Sequence, residues 1–201
     1  MKRVALWGAV MILLFISAEV WADDIEKQIS KGSEQYRQGN YTEAVKTLQS
    51  ASSQIQERQT DELIKLFPKP LSGWKAQKAD GEYFPLAIMG GGISANREYL
   101  KKKSREEIKV EIITNAPLVQ GVLLLMNNPF LASQSGFESI KIKSYPAVKE
   151  FRGEAKEGKI SIIVQNRMLI QVEGRHLMDD QPLHAYAEKI NYPALEKFLS
   201  Q

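Results

Sequence analysis

The chain has 201 residues, of which 27 are Lys or Arg and 24 are Asp or Glu, and it contains no cysteine. A net charge of +3 with both signs interspersed excludes a dedicated nucleic-acid binder, which needs clustered positive charge. Without cysteine there is no disulfide, no lipobox anchor and no thiol catalysis, so stability must come from a packed core.

Residues 1–22 read as a secretory signal peptide. Lys2 and Arg3 form a basic start, Val4 to Ser17 is an uncharged apolar run, and Val20 and Ala22 suit a cut before Asp23. A membrane-spanning helix needs about 20 apolar residues, and Glu19 interrupts the run just short of that, so cleavage is expected rather than anchoring. Removing Lys2, Arg3 and Glu19 lowers the net charge from +3 to +2. The longest later apolar run, Val122 to Met126, is too short to span a bilayer. The mature chain is therefore expected in the periplasm or outside the cell, with no integral membrane segment.

Residues 23–67 carry helical periodicity. Ile25, Ile29, Gly32 and Tyr36 recur at spacings of four, three and four, which puts them on one helical face. Gly39-Asn40 breaks the pattern. A second helix from Tyr41 is expected to bury Ala44, Val45, Leu48, Ala51 and Ile55, with Lys46, Gln49 and Glu57 in water. The short connection makes the two helices antiparallel neighbours.

The stretch from Arg37 to Ala51 (RQGNYTEAVKTLQSA), with Gly32 at the small position of the first helix, resembles the middle of a tetratricopeptide repeat. Gly32 and Ala44 allow close helix approach, Gly39-Asn40 turns the chain, and Tyr41 and Leu48 fill the seam. Gln28 and Lys31 stand where the family has a large aromatic and a leucine, and no closing proline occurs near Gln56. The resemblance covers about residues 25–55 without a second copy, and roughly three stacked units are needed for a solenoid core. It implies a single hairpin of the protein-interaction kind, with Gln35 and Gln49 as candidate contact positions. The alternative is a hairpin that simply packs on the C-terminal domain.

Pro68-Lys69-Pro70 ends the helical pattern, because proline lacks the amide hydrogen and disfavours helix in the residue before it. Residues 68–73 are the expected junction, and 74–201 the second domain. Trp74 then enters the first strand, either as a core plug or as a pocket wall. Strands are predicted at 74–79, 93–100, 106–114, 138–143, 147–154, 159–165 and 168–174. Glu107 to Ile112 alternates strictly, which means one covered and one wet face. The last two strands form a hairpin across Asn166-Arg167, rich enough in Ile, Leu and Val to lie centrally. Lys101-Lys102-Lys103 with Arg105 reads as a solvated hairpin tip. Helices are predicted from Pro117 to about Met126, from Pro182 to Ile190, and from Tyr192 to Leu199 behind an Asn191 cap. Segregated helices with mainly antiparallel strands make the fold class α+β.

Chemistry is sparse. His176, Asp179, Asp180 and His184 hold zinc-compatible groups, but at no recognised zinc spacing; Asp179 or Asp180 is expected to cap the helix at Pro182 instead. Gly90-Gly91-Gly92 lacks the Lys-Ser/Thr of a phosphate loop. Together with Trp74, Tyr83, Phe84 and Met89 it is the first-choice contact surface of the second domain. The apolar segment 118–131 is either core under the sheet or a patch for an apolar ligand. No catalytic, cofactor or metal residue is assigned. The expectation is a non-enzymatic, exported binding or assembly-accessory protein with a protein partner in the cell envelope. The alternatives are a carrier of a small apolar ligand and a metal-dependent hydrolase built on His176 and His184.

Overall fold

Alternation along strand β4 (Glu107–Thr114) sets the two faces of the sheet. Ile108, Val110 and Ile112 are fully buried, whereas Glu107, Lys109 and Glu111 point the other way. The computed structural model describes residues 17–83, 92–114, 117–128, 130, 134 and 136–200. The other strands are β1 (Trp74–Ala76), β2 (Asp80–Tyr83), β3 (Ile93–Lys101), β5 (Glu138–Ile142), β6 (Tyr145–Arg152), β7 (Glu157–Val164) and β8 (Met168–Arg175). They form one antiparallel sheet in the order β1-β3-β4-β8-β7-β6-β5, with β2 also paired to β3. Two meanders of consecutive strands thus meet along a single seam, β4 against β8, where Val110 pairs with Val172 and Ile112 with Ile170.

The predicted strands correspond to β1 and β3–β8, but the first ends at Ala76 and β2 was not anticipated. Asp80-Gly81-Glu82-Tyr83 has no apolar alternation to signal it. Gly81 is there for space: a Cβ would sit 2.4 Å from the Thr60 methyl. The β7–β8 hairpin is central, as its composition requires. Gln165 and Asn166 both have positive φ, 49° and 53°, and Arg167 N–H closes the turn onto the Val164 carbonyl at 3.1 Å. Mirror-image turns of this kind match the right-handed twist of the flanking strands.

Helices α4 (Gln181–Lys189) and α5 (Tyr192–Leu199) contribute to one face of the core. Leu183, Tyr186, Tyr192 and Leu195 pack there with Ile108, Ile160, Ile170 and Val172. Helix α3 (Pro117–Asn127) covers one end of the opposite face, where Val119 and Val122 meet Ile113, Val148, Ile163 and Leu169. Both faces are covered at that end, so Ile160 to Val164 and Met168 to Val172 are buried without a break. Leu124 and Phe130 are exposed, so the 118–131 segment is only in part core. Leu131 lies outside the described residues.

Helices α1 (Ser17–Arg37) and α2 (Tyr41–Ile64) precede the sheet. The chain divides into two compact units, Met1–Ile55 and Gln56–Gln201. The boundary falls within α2 and not at the expected junction 68–73. Leu63 and Phe67 belong to the core of the second unit, and the junction itself is fastened inside that unit. The Tyr99 hydroxyl donates to the Pro68 carbonyl at 2.7 Å, and Leu71 N–H donates to the Tyr186 hydroxyl at 3.3 Å. Residues 1–16, most of the expected leader, lie outside the described residues. No helix among the described residues is long and apolar enough to cross a membrane.

Candidate functional site

In the first unit, the seam between α1 and α2 is built from small residues. Ala44 and Ala51 are 2 % and 1 % exposed, and Gly32 is buried because a Cβ there would lie 2.7 Å from the Leu48 side chain. Ile25 closes one end at 7 % exposure. Leu48 packs against Gly32 as expected, but most of the other large apolar residues expected on this face stand largely in the open. Ile29, Tyr36, Tyr41, Val45, Leu48 and Ile55 are 41 to 64 % exposed. The physical reason is the close approach itself: alanine and glycine at the contact line draw the helices together, and beyond the part of Leu48 that covers Gly32 there is little depth for larger side chains.

These exposed residues share one side. At 3.6 residues per turn each position advances by about 100°. Ile29 and Tyr36 then lie on the same flank of Gly32 in α1, and Tyr41, Val45, Leu48 and Ile55 lie on one flank of Ala44 and Ala51 in α2. For antiparallel helices these flanks coincide. Two contacts agree with this: the Tyr36 and Tyr41 rings are 5.5 Å apart, and Leu48 reaches across to Gly32. The polar residues on this side, Ser33, Gln49 and Ser52, carry no charge. Glu34, Glu43 and Lys46 lie elsewhere, paired as Arg37–Glu34 at 3.6 Å and Lys46–Glu43 at 2.9 Å. The Lys46 ammonium holds the Glu43 carboxyl below its ordinary pKa, by a hydrogen bond and by its charge. Gln49 borders the apolar side, whereas Gln35 faces the opposite flank. The Oε1 atoms of Gln28 and Gln35 are shielded from solvent without a hydrogen-bond partner.

In the second unit, the part of the sheet not covered by α3 is a charge checkerboard. One row runs Arg152, Glu157, Arg175, Glu107, and the next runs Glu150, Lys159, Glu173, Lys109, Glu98; neighbours in each row pair in register, except Glu157 and Arg175, which lie one position beyond the end of the β7–β8 ladder. Signs alternate along rows and between rows. Lys159 reaches Glu173 at 3.4 Å, and Arg152 reaches Glu150 at 3.3 Å. Hollows of about 250 and 300 Å³ lie on either side of Glu173 and Arg175. Opposite charges across strands are mutually stabilising, so this face satisfies itself and offers little net field to a charged ligand. The signal was legible as Glu107-x-Lys109, Glu150-x-Arg152, Glu157-x-Lys159 and Glu173-x-Arg175, but only strand register reveals the second dimension.

The remaining sequence candidates do not converge. Trp74 is 7 % exposed, its ring edge-on to Tyr186 at 5.5 Å, so it is a core residue and not part of a contact surface. Tyr83 is 41 % exposed at the end of β2, and Gly92 precedes β3 with φ +117°. Phe84, Met89, Gly90 and Gly91 lie outside the described residues. Lys102, Lys103 and Arg105 are exposed at the β3–β4 turn, as expected of a solvated tip. Lys101 pairs with the buried Glu106, which Ser104 also contacts at 2.9 Å. Burial pushes the Glu106 carboxyl up, but these two partners outweigh it and hold its pKa below the ordinary value.

Around α4, Asp180 occupies the cap position without making the expected side-chain cap bond. Its carboxylate accepts from Lys149 Nζ at 2.9 Å, and Lys149 also pairs with Glu138 at 3.0 Å. Asp179 accepts from Gln181 N–H instead, at 3.0 Å. His184 Nε2 is 3.7 Å from Asp180, and His176 sits in a turn with φ +57°. No three His, Asp or Glu side chains among the described residues are placed to hold a metal ion. No protein-family model, curated protein or solved structure matches the chain.

Proposed function

We propose that this is a non-enzymatic exported binding or assembly-accessory protein that works through protein contacts on the apolar side of the α1–α2 hairpin. The observation that carries the reading is the row Ile29, Tyr36, Tyr41, Val45, Leu48 and Ile55, left open on one flank of a hairpin whose own seam is already closed by Ala44 and Ala51. Soluble proteins seldom leave contiguous apolar surface of this size in water unless something docks there. The tetratricopeptide-like residues of the hairpin point the same way. The checkerboard supports it by contrast, since that face is satisfied internally. Export is supported by the basic, apolar and small-residue order of residues 1–22.

A photo-crosslinking residue in place of Gln49, beside the apolar side, tests the proposal in living cells. A discrete crosslinked species is expected, and Val45→Glu in the same chain should abolish it. The absence of any species from Gln49, with the protein present at normal levels, removes the reading.

A further inference from the structure

We propose that a second copy of this chain closes the apolar side of the hairpin, the two hairpins packing antiparallel about a two-fold axis at the level of Leu48. This rests on the reading of that side as a docking surface. Three features of the hairpin favour a second copy.

The first is size. Six side chains at 41 to 64 % exposure offer roughly 600 Å² of surface per copy, and with the Ser33, Gln49 and Ser52 rim this approaches the ~800 Å² per partner of a stable interface. The second is charge. The centre of the docking side is uncharged, with Glu26 and Arg37 only at its rim, so bringing two identical copies together buries no ion at the core of the contact, whereas the other flanks carry Lys31, Glu34, Glu43 and Lys46.

The third is symmetry, because a two-fold interface must be self-complementary. Tyr41 and Ile55 lie equally far in sequence on either side of Leu48. A two-fold axis at Leu48 sets Tyr41 of each copy against Ile55 of the other, a ring over a branched aliphatic at both ends. Gly32 is level with Leu48 and lies near the midpoint between Glu26 and Arg37 on α1. Both are exposed at the rim of the apolar side, and the same axis brings Glu26 of one copy to Arg37 of the other, twice. The product is a four-helix assembly that presents two copies of the sheet domain.

Sedimentation equilibrium on the purified full chain reads the stoichiometry. A dimer is expected at about 100 µM, with Val45→Glu, confirmed as helical by circular dichroism, weakening it roughly 100-fold. Arg37→Glu should weaken it and Glu26→Arg in the same chain should restore it. The chain has no native thiol, so Leu48→Cys supplies a unique one on the axis. Oxidation should link it into a covalent dimer, while Ser50→Cys on the far flank stays monomeric. A wild-type monomer with no Leu48→Cys dimer overturns the proposal, as does a dimer that Val45→Glu leaves intact. If the Gln49 crosslink then traps a different protein, the docking surface stands and only the second copy falls; if it traps nothing, both fall.

Discussion

Replacing Lys159 by Glu reverses one square of the checkerboard, and the response separates a lattice of charges from a set of isolated pairs. Lys159 lies between Glu150 on β6 and Glu173 on β7's other neighbour, β8, with the pair to Glu173 at 3.4 Å and both side chains about one-third exposed. Opposite charges across strands contribute roughly 0.2–1 kcal/mol each, and like charges cost a similar amount. Reversing two contacts therefore costs about 1–2 kcal/mol. The informative variant is the swap, Lys159→Glu with Glu173→Lys. It restores attraction between 159 and 173, but position 159 still opposes Glu150 and position 173 now opposes Lys109. Two contacts remain reversed, so the swap should be as unstable as the single change. Urea unfolding at low salt measures both, and the deficit should shrink in about 1 M salt, where screening falls to ~3 Å. Full recovery of stability in the swap would mean that Lys159 and Glu173 act as a lone pair, and the lattice argument fails.

Lys149→Met should destabilise the second unit by about 1–3 kcal/mol, read by urea unfolding, because it leaves Asp180 and Glu138 without their shared cation. The hydrogen bond from Lys149 holds the Asp180 pKa below its ordinary 3.8, so the pair's contribution is present above that value and lost as pH falls below it; the Lys149 pKa is raised by Asp180 and Glu138, so the contribution is also lost as pH climbs past 10.5. Stability against pH should fall at both ends in wild type and more flatly in Lys149→Met. Gly174→Ala should cost about 1–3 kcal/mol in the same assay, since a Cβ would meet Leu177 at 2.4 Å and Ile108 at 3.0 Å; an unchanged midpoint would show that Leu177 yields freely. Asn191→Ala should cost about 1 kcal/mol by removing the oxygen that accepts from Ala194 N–H at 3.2 Å. Gln28→Leu should raise the hairpin's melting temperature by removing a carbonyl oxygen shielded from solvent without a partner, and a lowered one would place a water or a polar group against it.

The α+β architecture was legible because its long strands alternate and its helices announce their ends. Asn191 caps as expected, and the Ile-rich pair at 160–172 fell at the centre because both faces are covered there. Three features were not legible, each for its own reason. β2 has a glycine and two acids in four residues, so no local pattern marks it; it exists because β3 has an open edge. The domain boundary hid inside α2 because helical periodicity does not change where a helix passes from one unit to the next. The hairpin's stripe was read as seam because periodicity locates a face to within about a quarter turn, and Val45 and Leu48 lie that close to Ala44. Trp74 illustrates a chemical ambiguity instead: the residue type suits both a pocket and a core, and only Tyr186 beside it decides.

The single seam between the meanders has a kinetic meaning. Every other strand pair lies within one half of the sheet, and apart from β1 with β3 each joins neighbours along the chain, so those hairpins can close within microseconds. The β4–β8 ladder must instead bring together segments from Glu107 and Arg175, across the whole second meander, and the entropy of closing that loop is met before its hydrophobic contacts form. Folding should therefore wait on one encounter between two preformed halves. The same topology makes the stretch after β4 a natural place to cut the gene: fragments ending near Thr114 and starting near Pro117, which keeps α3 with the strands it covers, would each keep their own strand neighbours and should find one another through Val110, Val172, Ile112 and Ile170.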